Sequence, residues 1–493
     1  MVCLITFSIV AIKPDSPAFP FLMITAPCLV ALFVWSRCSL KSIPLLPLFL
    51  IQQGVLYGIS LLNFDTGSDR LPPAIISLAS LNVGLFFVAL LIGWSLGIHA
   101  IKVPPPTRWP LLQQNNSSHM KNARMLSIWL LVGSIFFQLL IKSGWLHQLL
   151  PDGLWSVFPL LRAFSDAATM LGALIGSLTI RFRSDEFTTW LFWGCVISLF
   201  FFSVSNLILA TATGLIMALA AGQALKNHRP PWTFALISLL ILAFFNQGKI
   251  QMRDKYWPSG STDVEVHIGR MPAFFQDWAV TSIHALPSSS QTRDTAVDSE
   301  SSQSLLERIN NINNLTFVIR AIEEQNISQL NGETYALIPP LLVPRFLWKA
   351  KPRAHEGQAT LNLHFRRQLT RAETEKTYIA WGLLPEAVGN FGVFFGPLIL
   401  GIGFGVLLGA LEKYAYNKIL FSIEGLILIG FLLKLAISYE MVASVFVTTT
   451  FQFMVVISLA GGLMRLWMNR RGAAFPPKTH ARTPPSTPGQ RET

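Results

Sequence analysis

Charged side chains are scarce in this chain, and those that most need an explanation lie between Gln247 and Gly396. Arg345 sits in the run Val343-Pro344-Arg345-Phe346-Leu347-Trp348-Lys349-Ala350-Lys351-Pro352. The proline before it limits the backbone, and the amphipathic residues after it suit a membrane interface. Lys249 and Arg253 are four apart, directly after an apolar run, so one further helical turn would set both on one face. Lys351, and Arg162 at the edge of another apolar run, are lesser candidates of the same kind. An arginine fork can hold two phosphate oxygens at once and a lysine acts as a point charge, whereas the same residues at a span end can simply snorkel to headgroups.

Glu386 opens an apolar run in Pro385-Glu386-Ala387-Val388-Gly389-Asn390-Phe391-Gly392, followed by Gly396. A carboxylate there can act as general base toward a hydroxyl, or can pair with an arginine or cap a helix. Glu333, close to Tyr335 in Gly332-Glu333-Thr334-Tyr335, is the second choice for a base. The Asn390-Phe391-Gly392 and Gly396 residues suit close helix packing. Arg366, Arg367 and Arg371 read as a solvated basic face or lipid contact. His267, His284, His355 and His364 show no ligand spacing, and Asp65 and Asp69 read as loop residues, so no metal site is expected.

The elements that must position these groups follow from composition. Of 493 residues 52% are hydrophobic and 13% charged, with mean hydropathy +0.48. That describes an all-α polytopic membrane protein, not a soluble one. Apolar runs near Ala18–Trp35, Ile43–Leu62, Ala74–Ile98, Met125–Ile141, Ala163–Ile180, Thr188–Val204, Leu207–Leu225, Trp232–Asn246, Val393–Leu411, Ile419–Ala436 and Met441–Leu466 predict about eleven transmembrane helices. Met1–Ile12 could belong to a twelfth; it lacks the basic start and small-residue cleavage site of a signal peptide. The net charge of +12 gathers in short loops and the tail, which fits the positive-inside rule and gives no reason to expect nucleic acid. Basic connections at Arg37 and Lys41, Lys102 to Arg124, Arg181 and Arg183, Lys226 and Arg229, and Lys413 and Lys418 fall on one side, with Arg465, Arg470 and Arg471. That side is cytoplasmic by the same rule, as is the C-terminus. Cys3, Cys28, Cys38 and Cys195 show neither metal nor disulfide spacing.

The chain therefore divides into an N-terminal membrane bundle (1–246), a large extracytoplasmic loop (247–392), C-terminal membrane helices (393–466) and a disordered basic tail (467–493). Within the loop, Ser259–Ser261 and Ser288–Gln303 read as mobile. Leu305, Ile309, Ile312, Leu315, Ile319 and Ile322 recur at helical spacing after a capping box of Ser304 and Glu307. That amphipathic helix, with Arg308 and Arg320 on its polar side, could lie on the membrane or on the bundle. Ala336–Val343, broken by Pro339-Pro340, reads as a re-entrant or interfacial piece bringing Arg345 to the membrane edge.

The order of short motifs over Gly248–Gly401 resembles the bacterial oligosaccharide repeat-unit polymerases, the O-antigen polymerase (Wzy-like) family. They are Gln247-Gly248-Lys249 to Tyr256-Trp257, an Arg-led helix from Arg308, Gly332-Glu333-Thr334-Tyr335, Pro344-Arg345-Phe346-Leu347-Trp348 with Lys351-Pro352, and Glu386 with Asn390-Phe391-Gly392. The resemblance implies a GT-C-like membrane glycosyltransferase of the bacterial cytoplasmic (inner) membrane, acting outside it on undecaprenyl-pyrophosphate-linked oligosaccharides. It implies neither nucleotide sugar nor metal nor other cofactor. Its expected partners are the lipid-linked oligosaccharide, membrane lipids, and a chain-length regulator and a flippase of the same pathway. In that reaction Arg345 meets the departing pyrophosphate and Glu386 is the base, with Lys249, Arg253, Lys351, Tyr335, Glu333 and Arg162 around the pyrophosphate and glycan. Three arginines between Ala354 and Lys376, and Trp348-Lys349-Ala350-Lys351 in place of Trp-Pro-x-Lys, depart from the family pattern. A ligase passing finished glycan to another acceptor uses the same cations and stays open beside the polymerase. A flippase would call for more span charges than Lys434 and for two similar halves.

Overall fold

The computed structural model describes residues 18–37, 45–58, 72–102, 117–149, 158–180, 186–207, 209–227, 229–256, 266, 268–285, 311–343, 347–348, 350–376, 379–416, 423–438 and 440–472. Among them no strand occurs, and every one of the eleven apolar runs contains a helix. In chain order these are α1 (Ala18–Arg37), α2 (Leu45–Gly58), α3 (Pro73–Ala100), α4 (Ser117–Lys142), the short α5 (Trp145–Leu149), α6 (Phe158–Thr179), α7 (Glu186–Val204), α8 (Leu209–Asn227) and α9 (Trp232–Gln247). The loop contributes α10 (Lys249–Tyr256), α11 (Met271–His284), α12 (Ile312–Glu323), α13 (Glu333–Ala336), α14 (Ile338–Leu342), α15 (Glu356–His364) and α16 (Arg371–Lys376). The chain returns through α17 (Leu383–Ala415), α18 (Ile423–Ser438) and α19 (Ala443–Gly472).

Among the described residues four helices are long and apolar enough to cross a bilayer: α3, Ala123–Lys142 of α4, α7 and α17. Leu22–Arg37, α2, α9 and Ala443–Leu459 are shorter apolar helices. Their outer faces keep large apolar residues exposed, such as Val88, Ile92 and Leu96 on α3 and Leu236, Ile237 and Leu240 on α9. Such apolar exterior faces need lipid, so the chain is a helical membrane protein.

The centre of the molecule is the pair α3 and α17, whose backbones touch through glycines spaced four apart. A methyl placed at Gly405 would stand 2.3 Å from the Leu90 carbonyl oxygen, and one at Gly97 2.3 Å from that of Val406. Gly401, Gly93 and Gly409 meet partner backbone in the same way. Small residues let helices approach this closely, gaining dispersion and Cα–H···O contacts that Leu tails would prevent. Because Gly401 meets Ala89, Gly405 meets Leu90 and Gly409 meets Trp94, the two helices run parallel. At its far end α17 carries buried Glu412, which accepts a hydrogen bond from the Leu46 backbone N–H at 2.9 Å and the Trp94 indole N–H at 2.6 Å. The first turn of α2 has no acidic residue of its own, so this carboxylate serves as its cap from another helix.

Described parts of the loop pack against the membrane helices. Ile312, Leu315, Val318 and Ile319 of α12 are buried in the same core as Phe49, Phe86, Leu90 and Leu408 of the bundle. The helical spacing in the sequence is thus realised, and its apolar stripe lies on α17 and α3. Described helix begins at Ile312; Ser304, Glu307, Arg308 and Ile309 lie outside the described residues. The earlier part of the loop goes elsewhere: Met252, Phe274 and Trp278 pack with Val204, Leu207 and Ala212 in a distinct aromatic cluster. The Trp278 indole N–H donates to the Phe245 carbonyl at 3.0 Å, fastening α11 to the end of α9.

Candidate functional site

Gly392 breaks α17. At φ +83° and ψ 173° its backbone is one that side chains rarely adopt, and the short piece before it folds back so that Gly396 touches the Ala387 carbonyl. A methyl at Gly396 would lie 2.6 Å from that oxygen. The sequence reading of Asn390-Phe391-Gly392 and Gly396 as packing residues matches this geometry, and the break aims Glu386 inward.

Thr334, Glu386 and Asn390 have no exposed surface. The Thr334 hydroxyl donates to Glu386 Oε1 at 2.7 Å, and the Ala443 backbone N–H donates to Glu386 Oε2. Asn390 Nδ2 donates to Thr334 Oγ1 at 2.9 Å and to the Glu386 carbonyl at 2.8 Å. The Leu330 N–H donates to the Gly389 carbonyl at 3.0 Å, closing the loop segment onto the short helix. Three elements that are distant in sequence thus meet on one carboxylate: α13, the start of α17 and the first residue of α19. Since α19 has no acidic residue in its own first turn, Glu386 caps it as Glu412 caps α2.

The sequence reads Glu386 as a base, or as a carboxylate that pairs or caps a helix. Here both its oxygens accept hydrogen bonds and it has no exposed surface. Next to it, the Tyr335 ring packs 5.3 Å from that of Phe391, and its hydroxyl is enclosed without a hydrogen-bond partner among the described residues. Burial, and then the Glu386 carboxylate, push the Tyr335 phenol well above its usual pKa, so it stays a neutral hydroxyl. Glu333, one residue away, is exposed in the first turn of α13.

Among the described residues, the other predicted cations make no hydrogen bond to this network. Arg345 lies outside the described residues, as do Pro344 and Phe346. Lys351 donates its ammonium to the carbonyls of Leu341 at 2.9 Å and Val343 at 2.7 Å, closing the last turn of α14. It therefore holds the chain just before residue 344. Lys249 and Arg253 do share the further turn expected, α10, but Arg253 Nη2 donates to the Leu207 carbonyl at 2.9 Å within the separate aromatic cluster. Arg162 stands one turn before Asp166 on α6. Arg366 and Arg371 are exposed, and Arg371 pairs with Glu356 at 2.6 Å. Arg367 departs from the solvated face expected of it. Its guanidinium lies 5.3 Å from the Phe317 ring centroid and 5.6 Å from that of Trp381, and burial lowers its pKa. Flanking aromatics stabilise the cation there.

Sequence reasoning missed Thr334 and Asn390 as a hydrogen-bonding pair, although both stood inside motifs it had singled out. It also missed Asn362, which accepts from the Trp381 indole at 2.6 Å and donates to Gln368 Oε1 at 2.7 Å. Isolated amides carry no spacing signal, so nothing in one sequence could have marked them. Among the described residues no group of three or more His, Cys, Asp or Glu side chains converges to hold a metal ion. No protein-family model, curated protein or solved structure matches the chain.

Proposed function

We propose that this chain is a membrane glycosyltransferase that polymerises undecaprenyl-pyrophosphate-linked oligosaccharide repeat units into a surface polysaccharide. The observation that carries the reading is the Thr334–Glu386–Asn390 network. It joins two of the short motifs on which the family resemblance rests, Gly332 to Tyr335 and Glu386 to Gly392, and it encloses them at one end of the bundle.

The span count that the reading needs is supported by contacts that join helix ends. With eleven crossings and a cytoplasmic C-terminus, α3 and α17 both run inward, as their parallel glycine contact requires. Glu386 at the outer end of α17 touches the outer end of α19, and Glu412 at the inner end touches the inner end of α2. Arg124 at the inner end of α4 donates to the Thr179 carbonyl at the inner end of α6. The basic connections then face the cytoplasm of a bacterial inner membrane and the 247–392 loop faces out.

In this proposal Arg345, at the membrane edge, meets the diphosphate as the glycosidic carbon detaches, and a fixed cation there is less screened than in water. Lys351 positions the segment leading to Arg345. Glu386 positions α13, and the exposed Glu333 takes over the part of base toward the acceptor hydroxyl. Deleting the gene and analysing lipid-linked glycans tests the reading: single unpolymerised units are expected. Full-length chains left unattached would make the protein a ligase, and material trapped inside would make it a flippase. Arg345→Ala is expected to abolish polymer while the protein still inserts, and normal polymer length would remove Arg345 from the site.

A further inference from the structure

Between α12 and α13 the chain runs Glu324-Gln325-Asn326-Ile327-Ser328-Gln329-Leu330-Asn331-Gly332-Glu333. From Gln325 to Gly332 it carries no formal charge, and Gln325, Asn326, Ser328, Gln329 and Asn331 are all exposed. Ile327 and Leu330 turn the other way and join the core of the bundle. The strap therefore shows the outside carboxamides and a hydroxyl, with its two apolar side chains turned inward.

Its backbone is fixed at both ends and in the middle. Asn326, at φ +53°, is the left-handed residue that ends α12, with the Ile327 N–H on the Ala321 carbonyl at 3.0 Å. Asn331 at φ +50° and Gly332 at φ +89° make a tight turn in which the Glu333 N–H donates to the Leu330 carbonyl at 3.0 Å. Between them, His364 Nε2 donates to the Ser328 carbonyl at 2.6 Å and the Leu330 N–H to that of Gly389 at 3.0 Å. The strap lies directly on the break in α17. The Gln329 amide fills the space that a side chain at Gly392 would need, and a methyl at Gly332 would stand 3.3 Å from the Phe391 ring. With the backbone already ordered, a ligand has only side chains to immobilise.

The chemistry of the patch selects its ligand. A carboxamide carries two N–H donors and an oxygen with two lone pairs. That suits neighbouring ring hydroxyls, which also donate and accept. A nucleic acid or a phosphate calls for cations, which the strap lacks, and a protein interface calls for an aromatic or apolar centre. We infer, taking the reaction proposed above as given, that the 325–331 strap binds uncharged sugar rings and holds the acceptor oligosaccharide beside Glu333.

The test uses the purified full-length protein in detergent. The probe is the producing strain's own surface polysaccharide, cut to one or a few repeats and free of lipid. Amide exchange over residues 325–333 is expected to slow with that probe, and not with sorbitol at the same concentration of hydroxyls. Gln325→Ala combined with Gln329→Ala should weaken binding on the order of tenfold and leave the thermal midpoint unchanged. It should raise KM for the lipid-linked acceptor by a like factor at constant kcat. Gln329→Asn, which keeps the amide, should retain most of the affinity. A merely solvated surface predicts unchanged affinity in the double variant, and that result, an unprotected strap, or equal protection by sorbitol would overturn the inference. Should the double variant melt lower, Gln325→Ala alone, clear of the α17 break, carries the same test. Deletion of the gene reads the reaction separately. Normal glycans in the deletion strain with a protected strap would end the polymerase reading and leave the sugar-binding strap standing. Single units there with an unprotected strap would end this inference alone.

Discussion

Glu386 is where a structural reading and a catalytic reading part, and two substitutions separate them. Glu386→Ala removes the cap of α19 and leaves the Thr334 hydroxyl and the Ala443 N–H buried without an acceptor. A lost cap costs about 0.5–2 kcal/mol and each buried orphan about 1–3 kcal/mol. With overlap between these terms, a loss of about 3 kcal/mol or more is expected, enough to deplete folded protein in the membrane. Glu386→Gln keeps one oxygen for the Ala443 N–H and turns an amide toward Thr334 Oγ1. That oxygen already accepts from Asn390 but has a second lone pair, and only its proton must be redirected. The cost should stay near 1 kcal/mol. The assay is paired: folded protein recovered in detergent with its thermal midpoint, and the length of lipid-linked glycan in cells. Near-normal folding and polymer in the glutamine variant, with loss of both in the alanine variant, is the expected result. A glutamine variant that folds normally and makes no polymer would refute the positioning role, because the amide can hold the helix but cannot take a proton.

Other outcomes follow from the same geometry. Gly405→Ala should force α3 and α17 apart by about 1 Å and cost about 1–3 kcal/mol, seen as a lower thermal midpoint. Gly403→Ala, two residues away with nothing within 4 Å of an added methyl, should be neutral or slightly stabilising. Equal effects at the two positions would dismiss the close helix contact. Burial holds His355 below its ordinary pKa, with the Gln358 hydrogen bond opposing, so the unfolded chain binds the proton first. Its stabilising contribution should be complete above about pH 6.5 and fall away as pH drops through the lower folded value. His355→Gln should flatten the melting midpoint between pH 7.5 and pH 5. Lys351→Met should loosen the end of α14, by about 1–2 kcal/mol, and increase proteolytic cleavage near residue 344. Unchanged cleavage would show that the two carbonyls need no cation.

Much of the fold was legible because a bilayer imposes strong rules on a chain. Eleven apolar runs became eleven helix-bearing segments, and the three-and-four spacing of Ile312, Leu315 and Ile319 became the buried stripe of α12. Both are local patterns, set by backbone hydrogen bonding in lipid and by the helical repeat. The Gly93, Gly97, Gly401, Gly405 and Gly409 spacing was equally visible, but which helices it would join was not, since any small-residue face can pair with another.

The site was legible only as a set of chemically plausible residues. Lys249 and Arg253 do lie on one turn, yet tertiary packing sends that turn to the Val204 and Trp278 cluster and not to Glu386. Arg367 looked like a surface cation until Phe317 and Trp381 closed around it. Glu386 and Thr334 are 52 positions apart, and whether a carboxylate faces a substrate or a helix terminus depends on what packs over it. From the sequence alone come the helices, the lipid-facing apolar surface and the scarcity of charge. The partners of each charge come from packing, because a side chain's chemistry is decided by the groups that long-range contacts bring within hydrogen-bonding distance.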